Sequence, residues 1–172
     1  MENHSVVLRS AKPTLDEGLM FARYLDEAAE GLFRFMFGKN ADRVIAKAFL
    51  QPAHDFSYQH VTFAVYEEKI VGMVSGYTDE MHRSSSGEPL IKAAGYRLIR
   101  MVAVAALCFP LMRFINTVID GDFYLQAIAV DRDHRGEGIG SILISFIEQY
   151  ACDSGSARLS LDVSIQNDGA RK

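Results

Sequence analysis

Phe123-Tyr124-Leu125-Gln126-Ala127-Ile128-Ala129-Val130 is an almost continuously apolar run that passes through Asp131-Arg132-Asp133-His134 into Arg135-Gly136-Glu137-Gly138-Ile139-Gly140. Such a run suits a strand covered on both faces. Behind the glycines, Ile139, Ile142, Leu143, Phe146, Ile147, Tyr150 and Ala151 share one helical stripe, with Ser141, Ser145, Glu148 and Gln149 on the other side. Gly155 ends that helix, and Arg158-Leu159-Ser160-Leu161-Asp162-Val163 alternates as a strand. Strand, helix and strand, with no room for another strand between, make a right-handed crossover joining two parallel neighbours. The glycine turn lies at the first strand's carboxyl end, where the free N–H groups of the first helical turn form an anion site. Glycines let backbone approach a ligand closely and take positive φ, and Arg135 adds a charge suited to paired phosphate oxygens. A pyrophosphate matches.

Working outward toward the N-terminus, Val6-Val7-Leu8-Arg9 reads as a short strand, and Thr14-Leu15-Asp16-Glu17 after Pro13 has the capping-box pattern of a helix start. Apolar residues at near-helical spacing run from Leu15 to Phe37, weakened at Gly18 and Gly31 and ended by Gly38. A second helix is predicted over Asp42 to Leu50. His60 to Tyr66 and Ile70 to Tyr77, both rich in β-branched and aromatic residues, form an antiparallel hairpin around Glu67-Glu68-Lys69. Residues 79 to 121 break the β pattern as a helical insertion: Ser84-Ser85-Ser86-Gly87 is a loop, and Pro89 to Ile119 an apolar helical segment interrupted at Pro110. The whole reads as one domain, 1 to 172, of α/β (α+β) class.

Composition narrows the partners. The net charge of -4, from 22 acidic and 18 basic residues spread along the chain, gives no basic stripe for nucleic acid. Between Arg100 and Arg113, Met101 to Met112 would make a helix of roughly 18 Å, short of a bilayer span, so no membrane is expected. The N-terminus lacks the basic start and apolar run of a signal peptide, and Cys108 and Cys152 sit in apolar helical patterns as buried thiols, consistent with a cytoplasmic protein. His54-Asp55 with His60 matches no common metal-ligand spacing, and no metal is expected. His134 reads as a solvated turn residue, and His4 and His82 lack supporting partners in sequence.

Two phosphate-binding fingerprints fail at the glycine turn. The dinucleotide motif needs glycine where Ser141 stands, and a Walker A loop needs lysine where Gly140 is followed by Ser141-Ile142. A tight strand-to-helix turn that binds nothing remains as the bland alternative. Residues 125 to 140 resemble the acetyl-CoA motif of the GNAT N-acetyltransferase superfamily, Arg/Gln-x-x-Gly-x-Gly/Ala, with Arg135, Gly138 and Gly140 at its defining positions and Gly136 a frequent companion. The resemblance covers Val6 to Arg171 in element order and is specific over 123 to 171.

That resemblance implies a mixed, mostly antiparallel sheet with a central parallel βαβ crossover and the insertion between the third and fourth strands. It implies acetyl-CoA as co-substrate, its pantetheine arm on the strand at Ile128, Ala129 and Val130. Its pyrophosphate would lie on the amides of Arg135, Gly136, Glu137, Gly138, Ile139, Gly140 and Ser141. Asn167, in a stretch similar to the family's Asn-x-x-Ala, would contact cofactor or cap the next helix. An amine of a small molecule or peptide would attack the thioester directly, its proton taken by a base. Asp122 is the leading base candidate, although Gly121-Asp122 is equally an ordinary turn, and Tyr124 and Gln126 could orient the acceptor. The family's thiolate-protonating tyrosine would fall about two residues beyond Lys172, so the C-terminal elements are expected to be missing. The edge so left, or the insertion, could mediate a homodimer. The alternative is a non-catalytic acyl-CoA sensor.

Overall fold

The computed structural model describes residues 5 to 107 and 118 to 162. Five strands, β1 (Val7–Ser10), β2 (Val61–Tyr66), β3 (Lys69–Thr78), β4 (Asp122–Val130) and β5 (Arg158–Ser160), form one sheet in chain order. The first three pairings are antiparallel and β4 with β5 is parallel, the mixed, mostly antiparallel sheet expected. The hairpin of β2 and β3 turns on Glu67 and Glu68, both at positive φ (47° and 64°), the conformation whose twist matches paired strands.

Helices α1 (Leu15–Ala28), α2 (Leu32–Phe37) and α3 (Ala41–Phe49) precede the hairpin. The segment from Leu15 to Phe37 is therefore two helices. Gly31, at φ 86°, donates its N–H to the Asp26 carbonyl, while the buried Asp26 carboxylate accepts from the Arg34 N–H and pairs with the Arg34 guanidinium. The break is thus a built corner. At the start of α1, Thr14 accepts from the Glu17 N–H, but Glu17 does not close the box; its carboxylate takes the Lys12 N–H and Arg9 instead, tying the helix to β1.

The insertion holds α4 (Asp79–Ser84), α5 (Glu88–Ala94) and α6 (Leu98–Leu107), and its apolar segment breaks at Gly95 (φ 54°). Pro110 lies outside the described residues. Helix α7 (Ile139–Asp153) carries the crossover to β5, which is shorter than the predicted 158 to 163. On α7 the buried set is Ile139, Leu143, Ile147 and Ala151, spaced four apart. Ile142 and Tyr150 of the expected stripe are exposed, and so is Cys152, because one residue past Ala151 turns about 100° away from the sheet.

The sheet is covered on both faces. Phe21, Tyr24 and Leu25 of α1 and Ile45 and Phe49 of α3 pack on one with Val61, Phe63, Met73 and Ala127. The buried stripe of α7 packs on the other with Ala64, Val71, Val74, Phe123 and Leu125. Two glycines permit close contacts within these layers: a Cβ on Gly18 of α1 would stand 2.9 Å from the Ala46 carbonyl oxygen of α3, and one on Gly76 of β3 would stand 2.5 Å from the Phe123 ring of β4.

One irregularity positions everything that follows. Ser75 faces Ala127 but Gly76 faces Leu125, so Gln126 is an extra residue, a β-bulge in β4.

Candidate active site

The first half of the site is a strand edge running into an anion cradle. β5 pairs with β4 only from Asp122 to Tyr124; from Leu125 onward β4 has no strand on that side among the described residues. The Asp131 N–H donates to Val71 at 2.9 Å, so by strand alternation the backbone groups of Val130 and Ile128 face the open edge. Those of Ala129 face Met73, which removes Ala129 from the residues that could offer backbone bonds there. The Val130 carbonyl already accepts from Arg135 Nε at 3.0 Å, leaving the Val130 N–H and both groups of Ile128 for a ligand.

After Val130 the chain makes a 3-10 turn, Arg132 to His134, and then the glycine loop. Gly136 and Gly138 adopt φ of 84° and 83°, which side chains other than glycine rarely take, and Gly138 caps α7. A Cβ at Gly136, Gly138 or Gly140 would meet nothing within 4 Å, so the space above the loop is open. The N–H groups of Ile139, Gly140 and Ser141 have no acceptor within the helix and point into that space. The Ile139 side chain is buried beneath the loop, so only its amide is available. The macrodipole of α7 favours negative charge at the same place.

Arg135 is placed differently from a free phosphate clamp. Its guanidinium also pairs with Glu27 of α1 at 2.7 Å, and Arg23 of the same helix pairs with Asp131 at 2.8 Å. Two ion pairs therefore staple the loop to α1. His134 pairs with Glu137 at 3.1 Å, on the exposed side of the loop.

The second half lies where the β4 bulge meets β3 and α4. The Gln126 amide nitrogen donates to the Asp55 carbonyl at 3.1 Å, and its oxygen accepts from the buried Ser75 hydroxyl at 3.2 Å. Tyr77 and Tyr124 face each other across the strands with ring centres 5.7 Å apart. The Tyr124 hydroxyl donates to Asp162 at 3.0 Å, and burial, reinforced by that carboxylate, raises its pKa above the ordinary phenol value. Burial likewise raises that of Tyr77. His82 of α4 stacks on Tyr77, ring centres 5.5 Å apart and planes 9° from parallel, and its Nδ1 bonds Asp55 Oδ2 at 2.9 Å. His60 also meets Tyr77, edge-on with ring centres 5.9 Å apart, and burial lowers its pKa.

The sequence profile described as the acetyltransferase (GNAT) family matches residues 22–172. The chain belongs to the GNAT acetyltransferase family. Solved GNAT relatives share its fold: an acetyltransferase at 24% identity and TM-score 0.66, the alignment covering 96% of this chain and 84% of the other. An N-acetyltransferase from Staphylococcus aureus Mu50 follows at 19% identity and TM-score 0.61, over 96% and 85% of the two chains. An aminoglycoside N-acetyltransferase solved in complex with CoA matches at 11% identity and TM-score 0.55, over 99% and 86%. No curated protein matches in sequence. Membership of the GNAT family supports acetyl transfer as the general activity.

Among the residues predicted for the site, Ile128, Val130 and the loop 135 to 141 are contiguous along the open edge, and Tyr124 and Gln126 lie in the second half. Asn167 lies outside the described residues. Asp122, the expected base, is 1% exposed, and its Oδ1 accepts from Arg158 Nε at 2.9 Å across the parallel pair. A carboxylate so enclosed is placed to hold β5 against β4. Sequence reasoning missed Asp55, Ser75, Tyr77 and His82; no local spacing joins them, since Asp55 and His82 are 27 residues apart. His54 is a structural histidine: Nε2 donates to the Ala48 carbonyl, Nδ1 accepts from the Phe56 N–H, and burial lowers its pKa. Among the described residues, no cluster of three or more His, Cys, Asp or Glu is placed to hold a metal, and no helix is long and apolar enough to cross a membrane.

Proposed function

We propose that the chain is an N-acetyltransferase that moves the acetyl group of acetyl-CoA to a primary amine of a small molecule or peptide. The observation that carries this is the continuity of the open β4 edge with the free amides of the glycine loop. The edge offers Ile128 and Val130 to an amide-bearing arm and the loop offers N–H groups to its pyrophosphate. The residues present fit the co-substrate: extended hydrogen-bonding backbone is followed, at the right end, by a cradle no side chain fills.

A neutral amine attacks the thioester carbonyl directly, so the chain needs no nucleophile of its own. Its residues bind the co-substrate, hold the amine, and take away one proton. Tyr124 and Gln126 border the place where the edge opens, and we assign them to orienting the acceptor. Asp122 is assigned to fixing the β4 and β5 pairing rather than to proton transfer, because Arg158 occupies it and solvent does not reach it. An aminoglycoside acetyltransferase of the same fold, solved in complex with sisomicin, supports a polyamine as one acceptor to test.

Calorimetric titration with acetyl-CoA is expected to give saturable binding, lost on Arg135→Glu with the circular dichroism spectrum unchanged. A screen of primary amines with thiol-release detection then reads turnover. No binding by the wild-type protein overturns the reading; binding without turnover of any amine reduces it to an acyl-CoA-binding module.

A further inference from the structure

The second half of the site contains a histidine and a carboxylate that no motif announces, and Gln126 ties them to the strand whose edge opens. Asp55 is held from three sides. Its N–H donates to Ser85 Oγ at 3.0 Å, its carbonyl accepts from Gln126 at the β4 bulge at 3.1 Å, and its carboxylate bonds His82 at 2.9 Å. The loop carrying Asp55 is thus tied directly to the point where β4 leaves β5. The His82 ring is fixed by the Asp55 bond at Nδ1 and the parallel face of Tyr77. With Nδ1–H given to the carboxylate, Nε2 carries the lone pair, the tautomer a proton acceptor needs. Neither residue is sealed in: the side chains are 31% and 24% exposed, against 2% for Asp122.

We propose that His82 accepts the proton of the attacking amine, with Asp55 as its positioning partner. The inference rests on the acetyl-transfer reading and adds the group that reading lacks. The step balances: the bound ammonium gives one proton to His82 Nε2, which returns it to water; the neutral amine then forms the C–N bond as the C–S bond breaks, and its second proton goes with the departing sulfur, so that coenzyme A leaves as the thiol. Substrate class follows from the same surroundings. Asp55 and Asp162, the carboxylates that bond His82 and Tyr124, supply negative charge, so the site attracts a protonated amine before deprotonating it. The other titratable groups near His82 are Asp79 and Arg83 on its own helix, paired with each other at 2.8 Å, Asp120, which also pairs with Arg83 at 2.8 Å, and His60, which packs against Tyr77.

The test compares wild type, His82→Gln and Asp55→Asn with a saturating amine of lysine-like basicity, following thiol release between pH 7 and 10. His82→Gln is expected to lower kcat by about 10²-fold or more at pH 7, the usual size of a general-base contribution, and Asp55→Asn by less. Acetyl-CoA binding by calorimetry stays within about threefold of wild type for both, and the deficit shrinks toward pH 10 as solvent deprotonates the amine. A kcat for His82→Gln within threefold of wild type overturns the proposal, as does a deficit equal at every pH. Loss of acetyl-CoA binding by both variants also overturns it, by assigning the pair to the fold. Turnover by wild type separates these outcomes from failure of the acetyl-transfer reading itself.

Discussion

Phe123 and Ala127 lie four residues apart on one strand and point to opposite faces of the sheet. In a regular strand an even separation keeps two side chains on the same face. Here the bulge at Gln126 shifts the register by one, so Phe123 and Leu125 join the core under α7 while Ala127 and Ala129 turn to α1 and α3. The shift also brings Gln126 into contact with Asp55 and Ser75, which links core packing to the half of the site proposed for the acceptor.

Gly76 should be irreplaceable at that bulge. A Cβ there would stand 2.5 Å from the Phe123 ring and 2.7 Å from the Tyr124 carbonyl oxygen, distances that backbone and a buried ring cannot relieve cheaply. Gly76→Ala is expected to destabilise by about 1–3 kcal/mol, the ordinary cost of overpacking, measured by urea unfolding. Wild-type stability in that variant would mean the strands can slide at the bulge.

Gly138 should separate strain from crowding. Its Cβ position is empty but its φ is 83°, so Gly138→Ala loses about 1–2 kcal/mol through backbone conformation alone. A shift of the loop to relieve that strain would misaim the α7 amides, and calorimetry should show weaker acetyl-CoA binding. Gly140, which has the same open surroundings without positive φ, should accept alanine with little change in unfolding free energy.

The Asp122 and Arg158 pair should matter to stability and little to chemistry. Arg158→Met leaves a carboxylate without its charged donor, at a cost of about 1–3 kcal/mol, kept at that level because the guanidinium side is largely exposed. Asp122→Asn should retain kcat within about tenfold while unfolding at lower urea. A collapse of kcat in Asp122→Asn, with stability and acetyl-CoA binding intact, would return the base to Asp122.

Acid should weaken the fold through His54. Burial lowers its pKa in the folded state, whereas the unfolded chain titrates it near 6.5, so below about that pH the unfolded chain binds more protons. The stabilisation is therefore complete above about pH 6.5 and lost as pH falls through that value toward the lowered one. His60, lowered by burial as well, acts in the same direction. Urea unfolding at pH 7.5 and 5.5 should show a smaller pH slope in His54→Gln than in wild type. Equal slopes would show that His54 does not supply the linkage.

The sequence alone determined the strand and glycine loop that we propose hold the co-substrate. An apolar strand, three alternating glycines, an arginine and an amphipathic helix are consecutive, so their geometry follows from local rules: strand alternation, positive φ at glycine and the unpaired amides of a first helical turn. The hairpin of β2 and β3 and the parallel crossover were legible for the same reason. For the half proposed to take the acceptor, the sequence offered Tyr124 and Gln126, and only the tertiary structure brought Asp55, Ser75, Tyr77 and His82 to them. Asp55, Ser75, Tyr77, His82, Tyr124 and Gln126 come from a loop, two strands and a helix, and the bond from Gln126 to Asp55 spans 71 positions. The tertiary structure also decided the bulge, because an extra residue in one strand exists only relative to its partner, and it enclosed Asp122, which the sequence offered as the leading base candidate or an ordinary turn and which the fold pairs with Arg158. Pairings made across a sheet leave no period in the chain; they arise from the packing that brings distant segments together.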